Sequence, residues 1–395
     1  MNEGLTSEQV ELRATVREVA EREIAPVAEE LDREARFPYE IIATLGGLGL
    51  MGMTVPQELG GAGLDTMSYS VAIEELARVD SSLAITVAAH TGLGTMPIVL
   101  YGDDQQRRRW VPDLAAGRRL GAIGLTEPEA GSDAAACRTR AAARPGGGWT
   151  LDGEKMFITS SGTDITGCCT VTAREDDGGI SCFIVPADAT GYRPGPPLRK
   201  IGWRASDTRA VHLDGVELGP DARLGPAGAG MRQILAVLDG GRMAIAAIGV
   251  GLAQGAFELA LEHARNRRQF GRPIVGFQAI QFQLAEIATE IAGARSLLYT
   301  AARVKDSGAP VTKLAAMAKL TAGRLAQTVA ERSLHIHGGY GWMEESPIAR
   351  LYRDAKILEI GEGTSEVQKM VIARAIDARE LTPRPTSSPT CCRCS

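Results

Sequence analysis

Beyond Gly230 the chain carries four long stretches of helical periodicity joined by short links: residues 231 to about 267, 278–305, 311 to about 335, and 348–378, the last interrupted at 361–364. Helices of that length can bury their apolar stripes only against one another, which predicts an antiparallel four-helix bundle. From about residue 120 to 224 the texture changes to alternation and turn dipeptides. Trp149-Thr-Leu-Asp152-Gly153 reads as a strand entering a hairpin turn, and 180–185 and 210–216 read as short strands. The first third is helical again. Thr6 with Gln9 forms a capping-box pattern, and Val10, Val16, Val19, Ile24, Val27 and Leu31 follow at spacings of three to four. Pro38 restarts a second helix, and 67–79 and 104–114 are further helices. The predicted fold is therefore mainly α with a central β domain: an N-terminal helical domain (1–119), a middle β-barrel or sandwich domain (120–229), a C-terminal four-helix bundle (230–380) and a disordered tail (381–395).

The chain has 395 residues, 44% of them hydrophobic, enough for one large core or for two to three domains. Its net charge of −5 makes nucleic acid an unexpected partner. The longest uncharged run of apolar residues and glycine, 243–253, is shorter than the ~20 residues a bilayer requires, so no membrane span is expected. The start MNEGLTSEQVELR has no apolar signal region, and Cys137, Cys168, Cys169 and Cys182 read as reduced packing residues. The expected compartment is the cytoplasm. Cys391, Cys392 and Cys394 cluster in the tail without a nearby His or a prenylation box. The 46 glycines, with no Gly-x-y period, point to tight turns or to backbone lying against a ligand.

Two motifs are weaker than they look. Gly47-Leu-Gly49-Leu-Met-Gly52 satisfies GxGxxG but follows helical PYEIIATL, where a dinucleotide fingerprint needs a preceding strand. A turn between helices is the better reading. His335 and His337 point about 200° apart on a helix and are badly placed to share a metal, so no metal site is expected. There is no GxSxG, HExxH, CxxC pair or GxxxxGK[ST], and hydrolase, zincin and P-loop readings lose their strongest support.

Three segments carry chemistry. GLTEPEAGSD (124–133) opens the β region with small residues that free backbone N–H groups to face an anion or ring. RNRRQFGRPIVGFQ (265–278) ends the first bundle helix with four arginines, where Arg267 beside Phe270 suits a guanidinium clamping a phosphate next to an aromatic. EIGEGTSEVQ (359–368) sets Glu362 between two glycines where helical texture breaks, either as a solvated loop charge or as a base projected into a cleft.

In this order and at these separations the three segments resemble those of the acyl-CoA dehydrogenase family. GLTEPEAGSD is similar to that family's first signature, and HIHGGYGWMEESPIARLYRDAKILEIGEGTSEVQ (335–368) to its second. GLGLMGMTVPQELGGAGL, EKMFITSSG and VLDGGRMAIAA support the likeness, which extends over about residues 5–380. The resemblance implies FAD bound between the β domain and the bundle across a subunit contact, and hence a homotetramer or homodimer. Leu125, Thr126, Gly131 and Ser132 would lie along the isoalloxazine and pyrophosphate, with Phe157 and Thr159 flanking the ring. Arg267, Phe270 and Gln278 of a neighbouring subunit would hold the pyrophosphate and adenosine, joined by His335, Gly338 and Gly339. Thr364 and Glu366 also match cofactor positions. Glu362 matches the base that takes the α-proton of an acyl thioester while the β-hydrogen leaves as hydride to the flavin. Its backbone N–H and a ribityl hydroxyl would stabilise the enolate-like charge. Ser132, Asp239, Arg242, Gly361, Glu362 and Gly363 match substrate positions, and an electron-transfer flavoprotein is the implied electron acceptor.

Departures from the family pattern bear on detail. Phe157 stands where many members have Trp, and His335 where they have Gln, so hydrogen bonds are lost at both positions. Gly241 stands where one subgroup places its base, leaving Glu362 without a competitor. Gly361 stands where many have Tyr, which implies a wider pocket that tolerates branched or ring-bearing acyl groups. The alternatives within this reading are a carrier-protein-bound acyl substrate in place of acyl-CoA, an oxidase, and a nitroalkane oxidase. Outside it stands a catalytically silent acyl-CoA-binding protein.

Overall fold

The computed structural model describes residues 4–380, so the tail and its three cysteines lie outside the described residues. Seven α-helices come first: α1 (Ser7–Val19), α2 (Ala28–Glu34), α3 (Tyr39–Gly47), α4 (Thr66–Val79), α5 (Ser81–Ala88), α6 (Met96–Tyr101) and α7 (Asp104–Ala115). Thr6 and Gln9 form the anticipated capping box on α1. The single helix expected up to Leu31 is broken. Ala20–Ile24 winds as a π-turn, closed by Ala25 N–H on the Ala20 carbonyl at 2.9 Å, just ahead of Pro26, which has no N–H to continue the ladder. Of the GxGxxG glycines, Gly47 ends α3, Gly49 makes the turn (φ 75°) and Gly52 ends a short 3-10 segment, with no strand before them among the described residues.

The middle region forms one eight-stranded sheet: β1 (Leu120–Gly124), β2 (Arg140–Ala143), β3 (Trp149–Thr159), β4 (Thr166–Glu175), β5 (Ile180–Pro186), β6 (Tyr192–Pro194), β7 (Thr208–Leu218) and β8 (Arg223–Leu224). The order is β6-β7-β3-β2-β4-β5-β8, with β1 pairing parallel to β4. The hairpin turn expected at Asp152-Gly153 is absent. β3 runs straight through it, and only the register against β7 slips between Leu151 and Gly153. Asp152 instead accepts the Gly215 N–H at 2.8 Å, so its turn-forming carboxylate pins the β7 backbone at the slip.

The bundle consists of α8 (Gly230–Asn266), α9 (Gln278–Asp306) and α10 (Thr312–His337), with a fourth member split into α11 (Pro347–Ala355) and α12 (Ser365–Glu380). The break is longer than the expected 361–364, because a 3-10 turn over Lys356–Glu359 brings the Leu358 carbonyl onto Gly323 of α10, 2.7 Å from where a side chain there would begin. Small residues set the spacing of α8. A Cβ at Gly249 would stand 2.7 Å from the Ala322 carbonyl, and one at Gly251 would stand 2.2 Å from that of Glu74, so α10 and α4 both pack on its backbone. One apolar core consequently runs through the first helices and the bundle together, while the sheet has a core of its own. Among the described residues two helical stretches, Ser81–Tyr101 and Gly230–Asn266, are long and apolar enough by length and composition to cross a membrane. Both stretches are mostly buried inside the protein, as core helices are, so neither is a clear membrane span.

Candidate active site

Glu362 occupies the gap between the 3-10 turn and α12. Its backbone is left-handed (φ 53°), an arrangement uncommon for non-glycine residues, which the surrounding structure has to hold in place. The turn aims the side chain at α8: a Cβ at Gly241 would fall 1.9 Å from Glu362 Oε2 and 3.1 Å from a Leu93 methyl. The carboxylate thus fills the place a side chain at 241 would take. Oε2 is shut off from solvent and has no hydrogen-bond partner. Burial pushes the carboxyl up to about 7, against the opposing pull of the Lys319 and Arg242 cations. A carboxylate with one oxygen buried and unpaired, titrating near neutrality, has the properties of a general base.

Asp239 and Arg242 lie beside it on α8. The Arg242 guanidinium donates to Asp239 Oδ1 at 2.6 Å, and the Thr312 hydroxyl donates to Oδ2 at 2.5 Å. Arg242 is buried and its Nε lacks a partner. Gly361 and Gly363 flank the base. Thr364 caps α12 by accepting the Val367 N–H at 3.3 Å, and Glu366 sits exposed in the first turn beside Lys369. Sequence reading missed Lys319, whose ammonium donates to the Gly363 carbonyl at 2.7 Å, and Gln368, which donates to both Glu362 and Gly363 carbonyls. Tyr69 and Leu93, both buried, were missed as well; the Tyr69 hydroxyl stands 3.6 Å from the Cβ position of Gly92.

A second group forms on the sheet. Met156 N–H donates to the Thr126 carbonyl at 2.8 Å, which brings the Leu125-Thr126 backbone alongside the Phe157 and Thr159 end of β3. Phe157 sits at a register slip in a left-handed conformation and is 66% exposed, so its ring is offered outward. Gly131 and Ser132 are also exposed, and nothing stands within 4 Å of a Cβ at Gly131. Below them Glu127 is locked to buried Lys155 at 2.7 Å.

A third group forms at the bundle end. A cleft of about 540 Å³ is lined by His263, Arg267, Tyr340, His337, Gly338 and Gly339 among others. The Arg267 guanidinium stacks over Tyr340 at 5.4 Å, and the rings of His263 and His337 lie 4.5 Å apart. Phe270, 93% exposed, stands edge-on to Phe277, which precedes Gln278, the first residue of α9; neither Phe270 nor Gln278 is part of the lining. His335 is exposed and not part of the lining; the helical offset of two residues turns His337 into the cleft in its place.

Three family models match in succession: the acyl-CoA dehydrogenase N-terminal domain over residues 6–118, the middle domain over 122–216 and the C-terminal domain over 228–376. A probable acyl-CoA dehydrogenase, YngJ of Bacillus subtilis, is 44% identical over 95% of this chain and 100% of its own length. The solved butyryl-CoA dehydrogenase of Megasphaera elsdenii superposes with a TM-score of 0.92 at 38% identity, covering 95% of this chain and 100% of that one. A glutaryl-CoA dehydrogenase of Mycobacterium smegmatis in complex with FADH2 gives a TM-score of 0.90 at 32% identity, covering 95% and 96%. These matches define an oxidoreductase class that is flavin-linked and acts on CH–CH bonds. The chain belongs to the acyl-CoA dehydrogenase family.

Proposed function

We propose that this enzyme converts an acyl-CoA to the trans-2-enoyl-CoA with FAD as cofactor and Glu362 as the base. The observation that carries this reading is the Glu362 carboxylate, whose Oε2 is buried and unpaired against Gly241 and whose carboxyl is pushed up to about 7. The residues present suit FAD. Gly131, Gly338 and Gly339 leave open space where side chains would stand, Arg267 supplies a cation in the cleft, and Phe157 exposes an aromatic face. Leu125, Thr126, Ser132 and Thr159 would hold the flavin end, and Arg267, Phe270 and Gln278 the adenosine end. When bound, the flavin supplies the acceptor for the β-hydride.

The chain's own groups do the rest. Desolvation makes ionised Glu362 a stronger base than a carboxylate in water, and it removes the α-proton. Charge developing on the thioester oxygen is met by the Glu362 backbone N–H, whose orientation the left-handed turn sets. Arg242 and Asp239 stand beside the base to receive the pantetheine arm. Gly361 leaves room beside the base for branched acyl groups. We propose further that the enzyme is a homotetramer or homodimer, with exposed Phe270, Tyr340 and Trp342 near the cleft in the contact, that it works in the cytoplasm, and that an electron-transfer flavoprotein reoxidises it.

Glu362→Gln tests the assignment. The variant is expected to keep its flavin absorbance and to lose anaerobic bleaching by butyryl-CoA. Undiminished bleaching would remove Glu362 as the base.

A further inference from the structure

The turn that carries Glu362 is tied down from two helices. Its backbone is left-handed at Glu362 (φ 53°) and again at Gly363 (φ 92°), so the surroundings must impose the shape. Three hydrogen bonds on two carbonyls do so. Lys319 of α10 donates to the Gly363 carbonyl at 2.7 Å, and Gln368 of α12 donates to the same oxygen at 2.9 Å and to the Glu362 carbonyl at 3.2 Å. Both side chains are buried, Lys319 at 1% exposure and Gln368 at none. A buried ammonium is costly, and one bonded to a neutral carbonyl is not placed there to form an ion pair. One helical turn further along α10, Gly323 receives the Leu358 carbonyl, so this helix supports both ends of the segment leading into the base.

We propose that Lys319 is a positioning residue for the reaction. It acts through the Gly363 carbonyl, with Gln368 as the second clamp, to hold both the carboxylate and the backbone N–H of Glu362 toward the thioester. This rests on the reading of Glu362 as base. The charged and titratable groups that act on that carboxylate are Lys319 from α10, Arg242 with its Asp239 partner from α8, and Tyr69 from α4; Glu359 and Glu366 of its own segment act on the Lys319 ammonium. Loss of the Lys319 cation would therefore loosen the turn and raise the proton affinity of Glu362 together.

The test uses flavin-loaded Lys319→Met, Lys319→Arg and Gln368→Leu. Flavin content and thermal unfolding are measured first, then the rate of anaerobic bleaching by butyryl-CoA across neutral pH. Lys319→Met is expected to keep its flavin and bleach ~10²-fold more slowly, the scale of an ångström's misplacement. Its pH midpoint is expected to move up by about one unit, because a neighbouring cation is gone. Lys319→Arg should recover part of both, while Gln368→Leu slows bleaching without moving the midpoint. An unmoved midpoint in Lys319→Met, or a rate loss that merely tracks lost flavin, overturns the proposal. Should Lys319→Met fail to fold, wild-type bleaching by Gln368→Leu overturns it equally. Glu362→Gln is the control: bleaching retained there removes the base itself, whereas bleaching lost there with Lys319→Met unchanged removes only the role of Lys319.

Discussion

Lys155 and Lys319 are both buried, one in the sheet and one in the bundle, and the difference in their partners separates scaffold from chemistry. Lys155 donates to Glu127 at 2.7 Å and to the Thr172 hydroxyl at 3.1 Å. Glu127 also accepts the Arg138 and Thr139 N–H groups and the Thr139 hydroxyl. Burial pushes the Glu127 carboxyl up, but these bonds outweigh it and hold the group down to about 2. Lys319 has no such carboxylate bonded to it; its ammonium goes to a carbonyl, and the nearby Glu362 stays unpaired at about 7. Full pairing makes a rigid loop below Leu125 and Thr126. Withheld pairing leaves a base.

The signs of the two linkages are opposite. Glu127 has a folded value below its ordinary 4.5, so its stabilisation is present above that pH and is lost as the pH falls toward 2. Glu362 is raised, so its ionisation costs stability as the pH climbs from 4.5 through about 7. The widest separation between the two lysines should appear in Lys155→Met. Removing one member of a buried pair strands the other charge, and a loss of ~3–5 kcal/mol is expected in denaturant unfolding. If Lys319→Met destabilises the protein as much as Lys155→Met does, the comparison fails.

Gly241→Ala breaks the other half. The new methyl would occupy the point 1.9 Å from Glu362 Oε2, and the carboxylate, being the flexible partner, must swing away. Glycine to alanine inside a helix gains up to ~1 kcal/mol of propensity, so thermal stability should hold or rise while bleaching by butyryl-CoA falls ~10²-fold. A stable variant with undiminished bleaching would mean that the seat of the carboxylate on Gly241 is unimportant to the chemistry.

What could be read from the sequence follows the same division. Glu362, Arg267 and GLTEPEAGSD lie in contiguous words whose small residues and charges have a local meaning, and the helical, β, helical order follows from periodicity alone. The supports were not legible. Lys319 sits in AAMAKLTAG, spaced four residues from Ala315 and from Gly323, on the face of α10 that packs inward. A lone lysine on an apolar face was the available signal, but its acceptor is 44 residues away and is set by tertiary packing. The hairpin misreading at Asp152-Gly153 has a related origin. The dipeptide has a local turn preference, and pairing of β3 with β2 and β7 on both sides overrode it. His337 in place of His335 follows from where α10 ends against His263, which no periodicity argument reaches.

The smallest effect concerns the open side of the base. A Cβ at Gly361 would meet only the Ile357 carbonyl at 3.5 Å and an Ile357 methylene at 3.9 Å, ordinary contacts, and the backbone there is not left-handed. A larger side chain can therefore be built without disturbing Glu362, unlike one at Gly241. In Gly361→Tyr the ring would stand beside the base and narrow the space for substituents near the α-carbon. Excluding a methyl group from such a pocket is worth ~10-fold, so the ratio of bleaching rates for butyryl-CoA over a branched thioester such as isobutyryl-CoA should rise by about that factor. The flavin content and the pH midpoint should not move, because no charge and no turn contact has changed. A constant ratio would mean that the acyl chain leaves the base on the side of Tyr69 and Leu93, and that those buried side chains, not the missing ring, set the pocket's width.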